Sequence, residues 1–298
     1  MGHDLFEKFP IAKQTFEEAD EALGFPLSKL CFEGPEEQLK LTEFTQPAIF
    51  TASIATQRVL AEKGITPSFV AGHSLGEYSA DVAAGVLPFA DAVKTVRNRG
   101  RYMQEAVPAG EGAMAAVLGL HPEAVIDICA KAAAETGAVV SAANLNSPEQ
   151  TVISGAVAGV EKAGALAKEA GAKKVITLAV SAPFHCALMQ PAQDRLAEDL
   201  RRLSFSAPSV PVVTNVDAAL VTDADQLHDA LVRQVTGAVR WVESMQVLIE
   251  QKPTHFIEVG PGRVLFGLMR QIDRSQHGLH VGDEASLEKL LAALTTAS

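Results

Sequence analysis

Residues 69–81 read FVAGHSLGEYSAD and place a serine, Ser74, between two glycines. An apolar, strand-like run leads into this Gly-x-Ser-x-Gly motif, and an Ala-rich, helix-like run leads out of it. This order is typical of a nucleophile elbow, in which a serine projects from a tight turn between strand and helix. We expect Gly72 and Gly76 to remove side chains where the turn is tightest, and the Leu75 N–H to face a developing oxyanion. The alternative is a plain turn with a capping serine.

The rest of the chain alternates short β-rich runs with longer helical patterns, which predicts an α/β protein. The helical pattern TQPAIFTASIATQRVLAEKG is predicted to open at Pro47 and to end at Gly64. PVVT at 211–214 and THFIEVG at 254–260 are further predicted strands. Together with the run before Ser74, they predict a parallel sheet in a large domain of the α/β-hydrolase-like kind.

The stretch from 109 to 180 has a pattern of its own. GAMAAVLGL is strand-like, PEAVIDICAKAAAE helical, AVVSAAN and QTVISG strand-like, VAGVEKAGALAKEAG helical and AKKVITLAV strand-like. This βαββαβ order is typical of a ferredoxin-like unit. We therefore predict a small domain at 109–180, inserted into a discontinuous large domain formed by 1–108 and 181–298.

Composition narrows the classes of function. A net charge of −11 over 298 residues argues against nucleic acid as the partner. No run approaches the roughly 18 apolar residues of a membrane span, and MGHDLFEKFP lacks the regions of a secretory signal. Three scattered cysteines without metal-ligand spacing are expected to be reduced thiols. The sequence thus predicts a cytoplasmic protein that binds no metal, no membrane and no nucleic acid.

A serine nucleophile needs a base, and the chain has eight histidines. His73 adjoins the serine but is expected to point away from it if the elbow geometry holds. His185, in VSAPFHCALMQPA, lies where a predicted strand leaves the small domain and a helix begins. Clefts form at such domain seams, so His185 is a candidate base among these eight.

Arginines cluster in the helical pattern PFADAVKTVRNRGRYMQE. At about 100° per residue, one line along this helix carries Ala92, Val96, Arg99 and Met103. Arg97 and Arg101 face nearly the opposite way, so Arg99 is expected on the buried side. A buried arginine is costly without an anionic partner. That partner is either an internal Asp or Glu or a bound anion.

Six separated segments resemble the malonyl-CoA:acyl-carrier-protein transacylase family: GHSLGEYSA, RGRYMQEAVPAGEGAMAAVLGL, NSPEQTVISG, SAPFHCALM, ALVRQ and EVGPGRVL. The resemblance spans essentially the whole chain in the right order. It implies malonyl transfer from malonyl-CoA to acyl-carrier protein in fatty-acid synthesis, by a monomeric, ping-pong enzyme without a bound cofactor.

The resemblance also implies roles for individual residues. Ser74 would be the nucleophile, His185 its base, and the backbone carbonyl of Gln234 would orient the histidine. Arg99 would bind the free carboxylate of malonate, and Gln46 and Phe184 would line the acyl pocket. Because only the main chain of Gln234 has a role, substitution of its side chain is expected to be mild. Gln46 is also explained by an N-terminal helix position, and Phe184 by ordinary packing.

One departure from the family pattern bears on activity. The family begins with a strand and a Phe-Pro-Gly-Gln-Gly-Ser-Gln-like loop that supplies a second oxyanion N–H, and no residue here matches that glutamine. This departure keeps open a catalytically impaired acyl-carrier-binding module. The same elbow also fits a serine thioesterase or esterase in which water replaces the carrier thiol.

Overall fold

The computed structural model describes residues 1–180 and 182–296. The helices are α1 His3–Lys8, α2 Pro10–Leu23, α3 Leu27–Glu33, α4 Glu36–Leu39, α5 Thr42–Glu62, α6 Leu75–Ala83, α7 Phe89–Glu105, α8 Pro122–Thr136, α9 Val157–Glu169, α10 Gln190–Leu200, α11 Ala224–Arg233, α12 Trp241–Glu250, α13 Val264–Ile272 and α14 Glu284–Thr296, with a 3-10 helix at Ala187–Met189. The strands are β1 Val70–Ala71, β2 Gly112–Leu118, β3 Val140–Ser147, β4 Gln150–Ala156, β5 Lys174–Thr177, β6 Val212–Val213, β7 Leu220–Val221, β8 Phe256–Val259 and β9 Gly278–Val281. The protein is therefore of mixed α/β type. Within these residues, no helix has the length and apolar character needed to cross a membrane.

The strand before Ser74 is short, and it pairs in parallel with β6. β7 pairs with the other edge of β6 and is antiparallel to it. β8 and β9 form a second, parallel pair. The sequence predicts parallel pairing, but the described strands divide it between two sheets. Strands β1 and β8 both line one cavity and are not hydrogen-bonded neighbours.

Strands β2 to β5 form a four-stranded antiparallel sheet in the order β3-β4-β2-β5. Helices α8 and α9 cover one face with buried apolar residues such as Val125, Ala132 and Ala163. The opposite face carries Met114 and Ala116, which pack with Phe184. These elements occupy the segments for which the sequence predicts strand and helix. The second face of this sheet thus borders the segment that carries His185.

The main apolar core lies around α5 and α7 and contains fully buried side chains such as Phe50, Ile54 and Met103. The prediction that the first of these helices opens at Pro47 is wrong, because α5 begins at Thr42. Pro47 lies inside the helix, where it withholds an N–H from the Glu43 carbonyl. The preceding turn is held by the Thr45 N–H, which donates to the Leu41 carbonyl at 2.8 Å.

Candidate active site

The turn at Ser74 is a strained elbow. Ser74 has φ 52° and ψ −106°, a backbone conformation that residues with a side chain rarely adopt. A Cβ at Gly72 would lie 1.9 Å from the carbonyl carbon of Gly76, so glycine is required there. A Cβ at Gly76 would meet nothing within 4 Å. The expectation that both glycines clear space for the turn is therefore correct for Gly72 and wrong for Gly76.

The elbow is held by a residue from the neighbouring strand. The Asn215 side chain accepts from the Ser74 N–H at 2.7 Å and donates to the Gly72 carbonyl at 2.6 Å. Asn215 follows β6 as Ser74 follows β1, and these strands are parallel and in register. Because carboxyl ends of parallel strands meet at one edge of a sheet, this pairing brings the two residues together. Sequence analysis missed Asn215, although this pairing of strand ends was a usable signal.

Ser74 and His185 are in contact: 2.7 Å separates Ser74 Oγ from His185 Nε2. The other ring nitrogen, Nδ1, lies 2.9 Å from the Gln234 carbonyl oxygen and 3.1 Å from that of Gly237. Carbonyl oxygens only accept, so Nδ1 carries the proton and Nε2 is free to accept from the serine. The imidazole is thus oriented by main-chain carbonyls rather than by a carboxylate.

Burial and the nearby Arg99 guanidinium lower the pKa of His185 to about 3. The imidazole is therefore neutral at neutral pH, as a general base must be before it takes a proton. His73 lies beside the serine in sequence, but its Nε2 lies 2.8 Å from Asn146 Oδ1. It points away from the serine, as the elbow geometry requires.

Arg99 is 2% exposed, on the same helix face as Ala92, Val96 and Met103, which are buried. Its guanidinium donates to three neutral oxygens: Gln46 Oε1 at 2.6 Å, Ser74 Oγ at 2.9 Å and Gln234 Oε1 at 2.8 Å. Among the described residues, no carboxylate forms an ion pair with it. Burial lowers the pKa of Arg99 from its ordinary value. The structure thus leaves a buried cation beside the serine that no carboxylate of the described residues contacts directly.

Gln46 and Phe184 border the same cavity, whose volume is about 1110 Å³. Gln46 is the fifth residue of α5 and is buried, so the alternative of an N-terminal helix position does not apply. Its Nε2 donates to Thr42 Oγ1 at 2.8 Å, which leaves Oε1 for Arg99. Phe184 is half-buried between the main core and the face of the small sheet that carries Met114.

Gln234 contributes more than its carbonyl. Its side-chain Oε1 accepts from Arg99, while Nε2 donates to the Ser74 carbonyl at 2.9 Å and to Glu77 Oε2 at 2.7 Å. The residue is fully buried. These contacts argue against the expectation that substitution of the side chain is mild, because its removal would leave several buried polar groups unpaired.

Glu77 is a further buried residue that sequence analysis missed. It is 1% exposed, and its Oε2 also accepts from the Asn215 N–H at 3.1 Å. Burial raises the pKa of Glu77 to about 7, against the effect of its hydrogen bonds and of Arg99. A charged residue one helical turn after the serine was the available signal. Leu75 is the first residue of α6, so its N–H has no acceptor within the helix.

A family model described as the acyl transferase domain matches residues 1–289. The chain belongs to the acyl transferase family. This acyl transferase is 50% identical over 294 residues to the malonyl CoA-acyl carrier protein transacylase of Bacillus subtilis (strain 168), across 99% of this chain and 92% of that protein.

Two solved structures resemble this acyl transferase closely. An acyl carrier protein S-malonyltransferase from Vibrio cholerae has a TM-score of 0.94 and 50% identity, covering 97% of this chain and 94% of that one. A type II PKS acyl-carrier protein in complex with its malonyl-transacylase has a TM-score of 0.94 and 48% identity, covering 98% of this chain and 94% of that one. Within the described residues, no cluster of three His, Cys, Asp or Glu side chains is suited to a metal ion.

Proposed function

We propose that this acyl transferase moves a malonyl group from malonyl-CoA to the phosphopantetheine thiol of acyl-carrier protein, through an ester on Ser74. The observation that carries the proposal is Arg99. A buried guanidinium that forms no ion pair with any described carboxylate lies 2.9 Å from a serine hydroxyl, which itself lies 2.7 Å from a neutral imidazole. Such a site suits a short acyl group that ends in a carboxylate.

In the first half-reaction, His185 Nε2 takes the proton of the Ser74 hydroxyl as Oγ attacks the thioester carbonyl carbon. The Leu75 N–H faces the oxygen that becomes negative, at the positive end of α6. The carbon–sulfur bond then breaks, and coenzyme A leaves with the proton from His185. A malonyl-serine ester remains on the enzyme.

In the second half-reaction, the phosphopantetheine thiol gives its proton to His185 and attacks the ester carbonyl carbon. The bond to Ser74 Oγ breaks, and the serine recovers the proton from His185. The same imidazole thus serves both halves as base and then as acid, and no net proton is gained or lost. Its Nδ1 keeps its proton throughout, because two main-chain carbonyls hold it.

Substrate recognition and base strength are coupled in this site. The Arg99 charge is one of the causes that lower the pKa of His185 in the empty site. A bound malonyl carboxylate would neutralise that charge and so strengthen the imidazole as a base. An acetyl group brings no carboxylate, leaves Arg99 unpaired and leaves the base weak. Selection for malonyl would therefore act on the chemical step as well as on binding.

The proposal extends to the division of the chain into two domains. We assign 109–180 to a ferredoxin-like small domain, inserted into an α/β-hydrolase-like large domain of 1–108 and 181–298. The strand order β3-β4-β2-β5 and the separate apolar core beneath α8 and α9 support the small domain. The strand-elbow-helix at Ser74 supports the large one. Residue 181 at the seam and the last two residues lie outside the described residues.

The test is the intact mass of the protein after incubation with malonyl-CoA alone. We expect the mass of one malonyl group to be added, on the peptide that contains Ser74, and no addition to Ser74→Ala. Addition of acyl-carrier protein with its phosphopantetheine should move the group to the carrier, whereas carrier without phosphopantetheine should leave it on the enzyme. Absence of the adduct would contradict the proposal, as would release of free malonate to water at the rate of transfer.

A further inference from the structure

Ser74 and Glu77 have the Ser-x-x-Glu spacing of a helix capping box. In that motif the serine side chain bonds to the glutamate N–H, and the glutamate side chain bonds back to the serine N–H. The structure contains neither bond: Ser74 makes no side-chain cap, and its N–H donates to Asn215 instead. Helix capping therefore does not explain why a glutamate is buried at this position.

The Glu77 carboxyl contacts the active site through two residues, Gln234 and Asn215. Its Oε2 accepts from Gln234 Nε2 at 2.7 Å and from the Asn215 N–H at 3.1 Å. Its Oε1 has no partner among the described residues. A proton on this carboxyl would therefore be carried by Oε1, and Oε2 accepts whether the group is charged or neutral.

The Gln234 amide has one orientation that satisfies all of its neighbours. Glu77 Oε2 and the Ser74 carbonyl accept, so they face Nε2, whereas Arg99 only donates and faces Oε1. Glu77 and the Ser74 carbonyl thus fix the amide from the side opposite to Arg99, and Glu77 makes the shorter contact. The resulting chain of contacts runs from Glu77 through Gln234 to the guanidinium beside Ser74 Oγ.

We propose that Glu77 is a positioning residue for Arg99, which acts through the Gln234 side-chain amide and thereby sets the preference for acyl groups with a free carboxylate. The inference rests on the proposed function. Without an acceptor at Glu77 Oε2, only the Ser74 carbonyl remains close to Gln234 Nε2, so the amide is held less firmly and one of the three contacts of Arg99 is less well fixed. Acylation by malonyl-CoA then falls, while acylation by acetyl-CoA, which does not use the cation, is less affected.

The experiment compares Glu77→Met and Glu77→Gln, which have similar volumes but differ in hydrogen bonding. The readout is the ratio of malonyl to acetyl acylation rates of Ser74, from mass spectrometry at single turnover. Met offers no oxygen acceptor, so we expect the ratio to fall roughly tenfold. Gln retains an acceptor oxygen in the position of Oε2, so we expect its ratio of malonyl to acetyl acylation rates to stay within about threefold of that of the unsubstituted protein. The matched control is Asp81→Asn, one turn later on α6, where a fully buried carboxyl has no partner among the described residues.

The route through Gln234 is tested by a double-mutant cycle with Gln234→Met, which keeps the main-chain carbonyl that His185 contacts. We expect Gln234→Met alone to lower the ratio, and Glu77→Met to add nothing in that background. Gln234→Met also serves as the test if Glu77→Met does not fold. Three outcomes would overturn the inference. The first is a ratio of malonyl to acetyl acylation rates that is the same in all variants. The others are an equal loss of this ratio in Glu77→Met and Glu77→Gln, and additive effects of Glu77→Met and Gln234→Met on it. If the unsubstituted protein takes up no malonyl group, the proposed function itself fails; if it does and the ratio never changes, only this inference fails.

Discussion

The Arg99 guanidinium and the Ser74 hydroxyl are hydrogen-bonded to each other, with 2.9 Å between Nη2 and Oγ. The cation that would select the substrate is therefore also a neighbour of the atom that would attack it. In malonate, a single methylene separates the carbonyl carbon from the carboxylate. A cation this close to the nucleophile suits that spacing, and a longer dicarboxylic acyl group would have to fold back to reach it.

Substitution of Arg99 should separate malonyl from acetyl transfer. Arg99→Met retains an unbranched side chain but removes the charge, and we expect malonyl acylation of Ser74 to fall about 100-fold or more, the effect of breaking a buried charge pair. Acetyl acylation should change by only a few fold. The control is Arg97→Ala on the same helix, where a partly exposed ion pair with Glu43 is removed. Equal losses for both acyl groups would remove the role of Arg99 in recognising the carboxylate.

The two glycines that flank the serine should respond differently to alanine. A Cβ at Gly72 would collide with the Gly76 backbone, so we expect Gly72→Ala to lower the free energy of unfolding by about 3 kcal/mol or more. Gly76 has open space for a Cβ and lies in the first turn of α6, so Gly76→Ala should be neutral or stabilising by up to about 1 kcal/mol. Urea unfolding of both variants tests this. A comparable loss at both positions would argue against the described elbow.

The buried His185 should make stability depend on pH. Its pKa is about 3 in the folded protein and about 6.5 when exposed, so below pH 6.5 the unfolded chain takes up a proton that the folded chain does not. The free energy of unfolding therefore falls as pH falls, by about 2 kcal/mol from this residue between pH 7.5 and pH 5. His185→Gln lacks this contribution. As the pH falls from 7.5 to 5, the free energy of unfolding of the variant should therefore rise by that amount relative to the unsubstituted protein.

Urea unfolding of both proteins at pH 7.5, 6 and 5 measures this difference. Glu77 acts in the opposite direction, because its raised pKa makes the folded protein take up a proton first as pH falls. That contribution is expected in both proteins, so it largely cancels when they are compared. A stability difference that does not change with pH would show that His185 is protonated as readily in the folded as in the unfolded chain.

Phe184 should limit the size of the acyl group. It lines the cavity beside the candidate base and packs towards Met114. We expect Phe184→Ala to raise the rate with methylmalonyl-CoA relative to malonyl-CoA by roughly tenfold, since one methyl group in an apolar pocket is worth about that much. Phe184→Leu should give a smaller change. An unchanged ratio of the two rates in both variants would assign Phe184 to packing alone.

Sequence analysis predicted the structure best where a local pattern controls the geometry. The strand-serine-helix order predicted the elbow, and the 3.6-residue period separated the buried Arg99 from the partly exposed Arg97 on one helix. Both follow from short-range rules of backbone geometry and helical spacing. The helices and strands of 109–180 could be predicted for the same reason, since strand-like and helical patterns follow one another in separate segments.

Long-range contacts were harder to predict. The side chains of Gln234, Glu77 and Asn215 meet only after three distant segments fold together, and no spacing along the chain encodes that meeting. The predicted start of α5 at Pro47 was wrong because tertiary packing of the helix outweighs the missing N–H. Gly76 was assigned to the turn because the motif pairs it with Gly72, whereas the collision involves a Cβ at only one of them.

The backbone of Ser74 has a last consequence. At φ 52° and ψ −106°, a side chain costs about 1–3 kcal/mol that glycine would not. Ser74→Gly should therefore relieve this strain while accepting no acyl group, and its melting temperature measures that relief against the lost contacts of Oγ with Arg99 and His185. The side chain at this position thus opposes the conformational preference of its own backbone, and in the proposed reaction it is the group that is acylated.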